Sequence, residues 1–258
     1  MPELPEAETI VRGLRPHVEG CRIVRAEFYA RRVSPDAPEP LAGRQVIAVR
    51  RHGKQVLLCL DSGASILIKL GMTGALLWNG ESGPYTRARL DFEGGGALLF
   101  DDIRQFGSLR LVQEVGGKLG PDPFEITAED FAARLRSRNT QVKRALLDQS
   151  LVRGLGNIYT DEALFRAQID PRARTRHLRR DRAQRLHAEI VALLDEAIQL
   201  RGSSISDYVD AQGQRGTFQT RHQVYGKAGQ PCPHCGTPIE RIVIAQRGTH
   251  FCPRCQRR

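Results

Sequence analysis

Four cysteines crowd the end of the chain as two pairs, Cys232-Pro-His-Cys235 and Cys252-Pro-Arg-Cys255, with sixteen residues between them. Two CxxC pairs at this separation supply four thiolates to one tetrahedral zinc ion, commonly on a β-hairpin ribbon. Redox pairing is the rival chemistry, and two paired motifs in a chain of intracellular character argue against it. His234 and His250 lie nearby in sequence, but four thiolates already close the shell. The metal is therefore expected to be structural: it folds about 30 residues that have too little core of their own and holds an exposed hairpin carrying Arg247. A second group is Gly154-Leu-Gly156-Asn157, inside LVRGLGNIYTDEALFRA (151–167). Glycines let backbone N–H groups approach an anion, and the helix N-terminus that follows favours negative charge, so this reads as a phosphate-gripping helix-turn-helix. Asn157 is equally readable as a helix N-cap. The third is the very start, Pro2-Glu3-Leu4-Pro5-Glu6, two prolines and two acids ahead of an apolar-periodic segment. Its plain reading is a helix opening, with acids complementing the helix dipole.

The elements that position these groups follow from pattern. Ile10, Val11, Leu14 and Val18 form one helical stripe. From about residue 22 to residue 113 the period falls towards two: QVIAVRR, KQVLLCL, SILIKL, ALLW, ARLDF, ALLF and SLRLV are short β-rich runs separated by glycine-containing turns. Seven or eight such runs suggest a β-sandwich or barrel, with the N-terminal helix packed against it. LGPDPFE (119–125) carries two prolines and a glycine and reads as a linker. Beyond it come AEDFAARLRSR, QVKRALLDQ and IYTDEALFRAQ, then a longer amphipathic helix from Asp181 to Leu200 that Gly202 stops. Residues 210–221 have no apolar period and read as a mobile loop, either a lid or a slack connector. The expected division is 1–118, a linker at 119–130, a helical domain at 131–221 and a zinc finger at 222–258.

At 258 residues and 28.8 kDa, with 40% hydrophobic residues, the chain can bury a sizeable core and splits naturally into more than one domain. There is no signal-peptide pattern and no run of 18 apolar residues, so the expectation is a soluble cytoplasmic protein with no membrane partner. A formal charge of +10, carried by few lysines and many arginines, points to a polyanionic partner. Cys21 and Cys59 stand apart and are expected to be small reduced hydrophobes. No heptad suggests oligomerisation, so a monomer is the default.

Taken together, PELPE at the terminus, GLGNIYTDEALFRAQIDP, VYGKAGQPC and the two CxxC pairs closely resemble the formamidopyrimidine-DNA glycosylase family of bacterial base-excision repair, over residues 2 to 256. The resemblance implies an α+β multidomain fold: an N-terminal β-sandwich with its helix, a helical domain with a helix-two-turn-helix motif, and a terminal zinc finger, with DNA in the cleft between the domains. It implies one structural zinc and no organic cofactor. It also gives the opening prolines a purpose. Removal of Met1 exposes a secondary amine at Pro2 that can attack C1′ of a damaged nucleotide and form an iminium. An α-amine with pKa near 8 is roughly 10% free at pH 7, whereas a lysine is below about 0.1%. Glu3 would exchange protons around the sugar and Glu6 would support it; base loss, β-elimination and δ-elimination would follow.

The same resemblance places Lys54, which alone reads as a solvated turn lysine, on phosphate in the active site. It makes Arg247 the zinc-finger arginine; a guanidinium with pKa above 12 rarely gives up a proton, so a phosphate clamp is the better assignment. Met72, Arg104 and Phe106 match residues that fill the hole left by an everted nucleotide, Arg104 bonding the opposite base. Arg138, Lys143 and Asn157 are implied phosphate contacts, and Gly216, Thr217, Phe218, Gln219 and Thr220 a loop over the everted base. Two departures stand out: Gln105 replaces a second basic residue, and Arg87 or Arg89 stands where a histidine commonly contacts DNA. The expected activity is a bifunctional glycosylase and abasic-site lyase for oxidised purines such as 8-oxoguanine and formamidopyrimidines. Two rivals are an endonuclease VIII-type enzyme for oxidised pyrimidines, whose members usually begin PEGPE where this chain has Leu4, and a non-catalytic zinc-ribbon DNA-binding module, which would need no free secondary amine.

Overall fold

The computed structural model describes residues 1–33 and 40–258. Helix α1 (Leu4–Val18) begins where the sequence places a helix, with Pro5 in the first turn, where a missing N–H costs nothing. Its stripe Ile10, Val11, Leu14 and Val18 is fully buried. At roughly 2 kcal/mol for each such side chain, this anchors the chain start firmly.

Eight strands follow: β1 (Ile23–Phe28), β2 (Val46–His52), β3 (Gln55–Leu60), β4 (Ser65–Lys69), β5 (Gly74–Trp78), β6 (Thr86–Phe92), β7 (Ala97–Asp102) and β8 (Ser108–Val112). They form two antiparallel four-stranded sheets, ordered β1-β6-β7-β5 and β2-β3-β4-β8. Strand β6 shows why: Thr86, Ala88, Leu90 and Phe92 point inward while Arg87, Arg89 and Asp91 alternate outward. The inward faces of both sheets, including Val49, Leu58, Ile68, Leu76, Leu90 and Phe100, share one core with the α1 stripe. This is a β-sandwich closed by a helix. Cys21 packs half-buried against the core, as a small hydrophobe should.

The helical sequence forms α2 (Ala128–Arg136), capped by the Thr127 side chain, α3 (Val142–Leu147), α4 (Asn157–Arg166) and α5 (Arg180–Gln199). In α5, Leu186, Ile190, Leu193, Leu194, Ala197 and Ile198 are buried as their spacing predicts, and Gly202 takes φ of +79° just past its end. A hairpin of β9 (Glu240–Ile244) and β10 (Arg247–Phe251) completes the chain. No helix among the described residues is long and apolar enough to cross a membrane.

Two compact units result: Met1–Gly117 with Ala197–Gln219, and Lys118–Glu196 with Thr220–Arg258. Residues 197–219 thus pack with the sandwich, whereas the sequence pattern grouped them with the helices around them. Nor are residues 210–219 slack. The Asp210 carboxylate accepts from the backbone N–H groups of Gln212 (3.0 Å) and Gln214 (2.9 Å), and the Trp78 N–H donates to the Ala211 carbonyl (2.8 Å). A segment lacking apolar period is held here by polar side chains on backbone groups.

Candidate active site and metal centre

Pro2 and Glu3 are buried at the head of α1. The Glu3 N–H donates to one carboxylate oxygen of Glu6 (2.7 Å), and the other accepts from the Ser203 N–H (2.8 Å). Glu6 is only 2% exposed, so a single buried carboxylate ties the backbone after Pro2 to the 197–219 segment. The Tyr208 hydroxyl donates to the Glu6 carbonyl (3.4 Å), and burial, aided by the Glu6 charge, pushes its pKa far up. It stays a neutral donor.

Lys54 stands half-buried in the two-residue turn joining β2 and β3, where Gly53 supplies a φ of +63°. That turn is braced to α1. Glu8 accepts from Arg12 (2.9 Å) and Arg51 (3.0 Å), and Arg51 also donates to the Gly53 carbonyl (3.4 Å). Burial would raise the Glu8 pKa, but hydrogen bonds from these two guanidinium groups outweigh it and hold the carboxyl below its usual range.

Met72, Arg104 and Phe106 come together. The Arg104 guanidinium lies 4.6 Å from the Phe106 ring centre and 3.6 Å from the Met72 sulfur, and Met72 and Phe106 are 47% and 59% exposed. Large apolar tips left in water beside a cation are uncommon in a structural role. Their two loops are clasped by Asp102, a fully buried carboxylate that accepts from the Thr73 hydroxyl and from the Gly107 N–H (2.7 Å). Thr73 in turn accepts from the Arg104 N–H (3.1 Å). Gly71 is required here, because a Cβ would sit 2.8 Å from the Gly107 nitrogen. Arg87 donates to the carbonyls of Asp102 (2.9 Å) and Pro84 (3.3 Å), at the base of the same loop, while Arg89 pairs with Asp91 (2.7 Å).

The loop implied to cover an everted base is also held within the first unit as far as Gln219. The Gly216 N–H donates to the Ser204 hydroxyl (2.9 Å), the Thr217 N–H to the Leu200 carbonyl (2.9 Å), Phe218 is fully buried, and the Gln219 amide donates to the Gly216 carbonyl (2.9 Å). Thr220 is exposed and opens the second stretch of the other unit.

In the second unit, the turn between α3 and α4 is built on Gln149, whose amide donates to the carbonyls of Leu147 (3.2 Å) and Leu155 (2.8 Å) and accepts from the Gly154 N–H (2.9 Å). Gly154 takes φ of +101°. Gly156 occupies the N-cap, so Asn157 is not the cap: its amide donates to the carbonyl of Gly248 (2.9 Å), one residue past Arg247. Lys143 also needs correction. Its side chain is fully buried, and its ammonium donates to Asp161 (2.6 Å) and to the same Gly248 carbonyl (3.1 Å). An ammonium so enclosed holds the hairpin rather than a phosphate. Asp161 also accepts from the His250 backbone N–H (2.9 Å), completing the grip on β10. Arg247 itself is exposed, beside a turn in which Ala245 and Gln246 adopt φ of +49° and +59°. Arg138 is partly exposed and shares Asp148 (3.4 Å) and Ser150 (3.0 Å).

The sulfurs of Cys232, Cys235, Cys252 and Cys255 all lie within 4.8 Å of one another, with Cys232 to Cys255 at 3.9 Å and Cys235 to Cys252 at 3.5 Å. A tetrahedral Zn–S bond of about 2.3 Å sets sulfurs about 3.8 Å apart, so the four fit one zinc ion with no position left for a substrate. The zinc is structural.

Sequence reasoning missed Asp102, Asp161, Gln149, Ser203 and Ser204. Only Asp161 left a sequence signal, an acid on the inward side of a helix.

A sandwich headed by a helix, a helix-two-turn-helix segment and a four-cysteine finger define the layout of a multidomain DNA glycosylase. Family models match in that order: the formamidopyrimidine-DNA glycosylase N-terminal domain over residues 1–109, its H2TH domain over 119–209, and the zinc finger found in FPG and IleRS over 229–258. The formamidopyrimidine-DNA glycosylase of Solibacter usitatus is 50% identical, covering all of both chains. The crystal structure of the MutM (Fpg) protein of Thermus thermophilus superposes with a TM-score of 0.90 at 42% identity, over 99% of this chain and 98% of that one. A Lactococcus lactis Fpg variant in complex with DNA containing Fapy-dG gives 0.91 at 34% identity, over all of both chains. The chain belongs to the formamidopyrimidine-DNA glycosylase family, DNA glycosylases of base-excision repair.

Proposed function

We propose that the chain removes oxidised purines from duplex DNA and then cleaves the strand, using the Pro2 amine exposed by loss of Met1. The observation that carries this is the placement of Pro2 beside two buried carboxylates, with Glu6 holding the Glu3 backbone in register. A helix start of purely structural purpose has no need of two buried acids at the chain terminus. Attack of the amine on C1′ forms a C–N bond as the glycosidic bond breaks, and the base departs with a proton. Loss of the amine proton leaves an iminium. A C2′ proton then passes to a base, for which Glu3 is placed, and the C3′–O bond breaks; δ-elimination breaks the C5′–O bond, and hydrolysis frees Pro2.

Lys54 and Arg247 act on flanking phosphates, and Met72, Arg104 and Phe106 fill the vacated stack. Arg87, Arg138 and the N-terminal end of α4 at Asn157 bear on the DNA backbone, with Lys143 and Asn157 fixing the hairpin that carries Arg247. The solved complex of a Lactococcus lactis relative with Fapy-dG DNA supports the substrate class, and another with abasic-site DNA supports the lyase step. Duplex DNA as substrate places a monomeric enzyme in the bacterial cytoplasm, at the nucleoid.

Borohydride trapping tests this. Wild-type protein should form a covalent adduct with a duplex containing 8-oxoguanine, and Pro2→Gly should reduce trapping at least about 100-fold while leaving duplex affinity largely intact. Equal loss of trapping and affinity would contradict the role of Pro2; trapping only on oxidised pyrimidines would replace the substrate.

A further inference from the structure

We infer that Ser204 is a positioning residue that couples the base-covering loop to the support of the nucleophile, so that a damaged base is sensed through Glu6. This rests on the function proposed above. The two carboxylate oxygens of Glu6 are divided, one on the Glu3 N–H (2.7 Å) and one on the Ser203 N–H (2.8 Å). The next residue grips the loop three times. The Ser204 hydroxyl accepts from the Gly216 N–H (2.9 Å), its N–H donates to the Gln219 side chain (2.9 Å), and its carbonyl accepts from Arg215 (2.7 Å). The hydroxyl proton goes to the Tyr208 carbonyl (2.8 Å), and the Tyr208 hydroxyl returns to the Glu6 carbonyl (3.4 Å). The circuit therefore runs from loop to nucleophile and closes on itself.

Steric contacts make it stiff. A Cβ on Gly202 would lie 2.7 Å from Glu6 Oε1, and one on Gly216 would lie 2.3 Å from the carbonyl oxygens of Arg201 and Gly202. Loop residue 216 cannot shift without moving 202–204, and that movement draws the Ser203 N–H away from Glu6. A buried carboxylate deprived of a donor is costly, so Glu6 re-aims and carries the Glu3 backbone with it. Ser204 touches neither sugar nor base, and its effect is confined to substrates that still present a base for the loop to cover. An abasic site bypasses it.

The test compares wild type, Ser204→Ala and Ser204→Thr on two duplexes, one with 8-oxoguanine and one with a preformed abasic site. Ser204→Ala should slow single-turnover base removal about 10- to 30-fold, the equivalent of one buried hydrogen bond, while borohydride trapping on the abasic duplex stays within about twofold. Ser204→Thr keeps the hydroxyl and should keep both rates within about threefold. Equal losses on the two duplexes, or no loss on either, would overturn the coupling. Amide exchange in the wild-type protein adds a check that no variant can spoil: the Gly216 and Ser203 amides should be protected together, and exchange of Gly216 at the rate of an unstructured amide would refute the relay. Failure of wild type on both duplexes would instead sink the function itself, and the inference with it.

Discussion

Replacing Lys143 by Met separates two physical roles for one lysine. Both Lys143 and Asp161 have side chains of zero exposure, joined at 2.6 Å. Removing one partner of a buried ion pair costs about 3–5 kcal/mol, because the remaining charge is left without compensation. Asp161 keeps the His250 backbone donor at 2.9 Å, which favours the lower end. A loss of about 3 kcal/mol corresponds to a fall in melting temperature of roughly 10 °C in a protein of this size. Thermal unfolding of the zinc-loaded protein measures it. Duplex affinity as a function of salt supplies the contrast, since loss of a phosphate-contacting lysine would lower the slope by about one while barely touching stability. The expected result is a large thermal shift with an unchanged slope. A slope reduced by one at unchanged melting temperature would refute the buried-pair reasoning. Adding Asp161→Asn should recover at least about 1 kcal/mol, because the stranded charge is then removed.

Asp102→Ala should leave the sandwich folded, with a loss of about 1–3 kcal/mol, but should release the Met72 and Phe106 loops and slow base excision at least about tenfold. Nucleotide eversion followed with a fluorescent base analogue, if unchanged, would show that the loops hold without it. His222 is 5% exposed and burial, then the Lys227 charge, depresses its pKa from 6.5 to about 4. The unfolded chain therefore binds more protons between these values, and stability falls as pH drops below about 6.5, by roughly 2 kcal/mol at pH 5. Denaturant unfolding of wild type against His222→Gln should show a steeper loss in wild type across this window, and parallel curves would exclude the effect.

Features whose cause lies within a few residues were legible in the sequence. The alternation of Thr86–Phe92, the stripe of α5, its stop at Gly202 and the spacing of the cysteines each follow from local geometry. Strand β1 was not among the named runs, because Ile23 alone is buried and the rest of the strand shows no alternation to read. Lys143 in QVKRALLDQ looks like a surface lysine until its partner, eighteen residues further on, is brought against it. The relation between Glu6 and Ser203 spans 197 residues, and no periodicity reports it. The chemistry of Pro2 became legible only through likeness to a family, since a proline and two acids also suffice to begin a helix.

The sandwich is assembled from two separated lengths of chain, Met1–Gly117 and Ala197–Gln219. During synthesis the ribosome must therefore release the whole intervening stretch, Lys118–Glu196, before Glu6 can meet Ser203 or Trp78 can meet Ala211. The nucleophile's surroundings are among the last parts of their unit to be finished, although the nucleophile is the first part made. A fragment ending at Gly117 would carry Pro2, Glu3 and Lys54 and still lack the backbone amide that holds Glu6 in place.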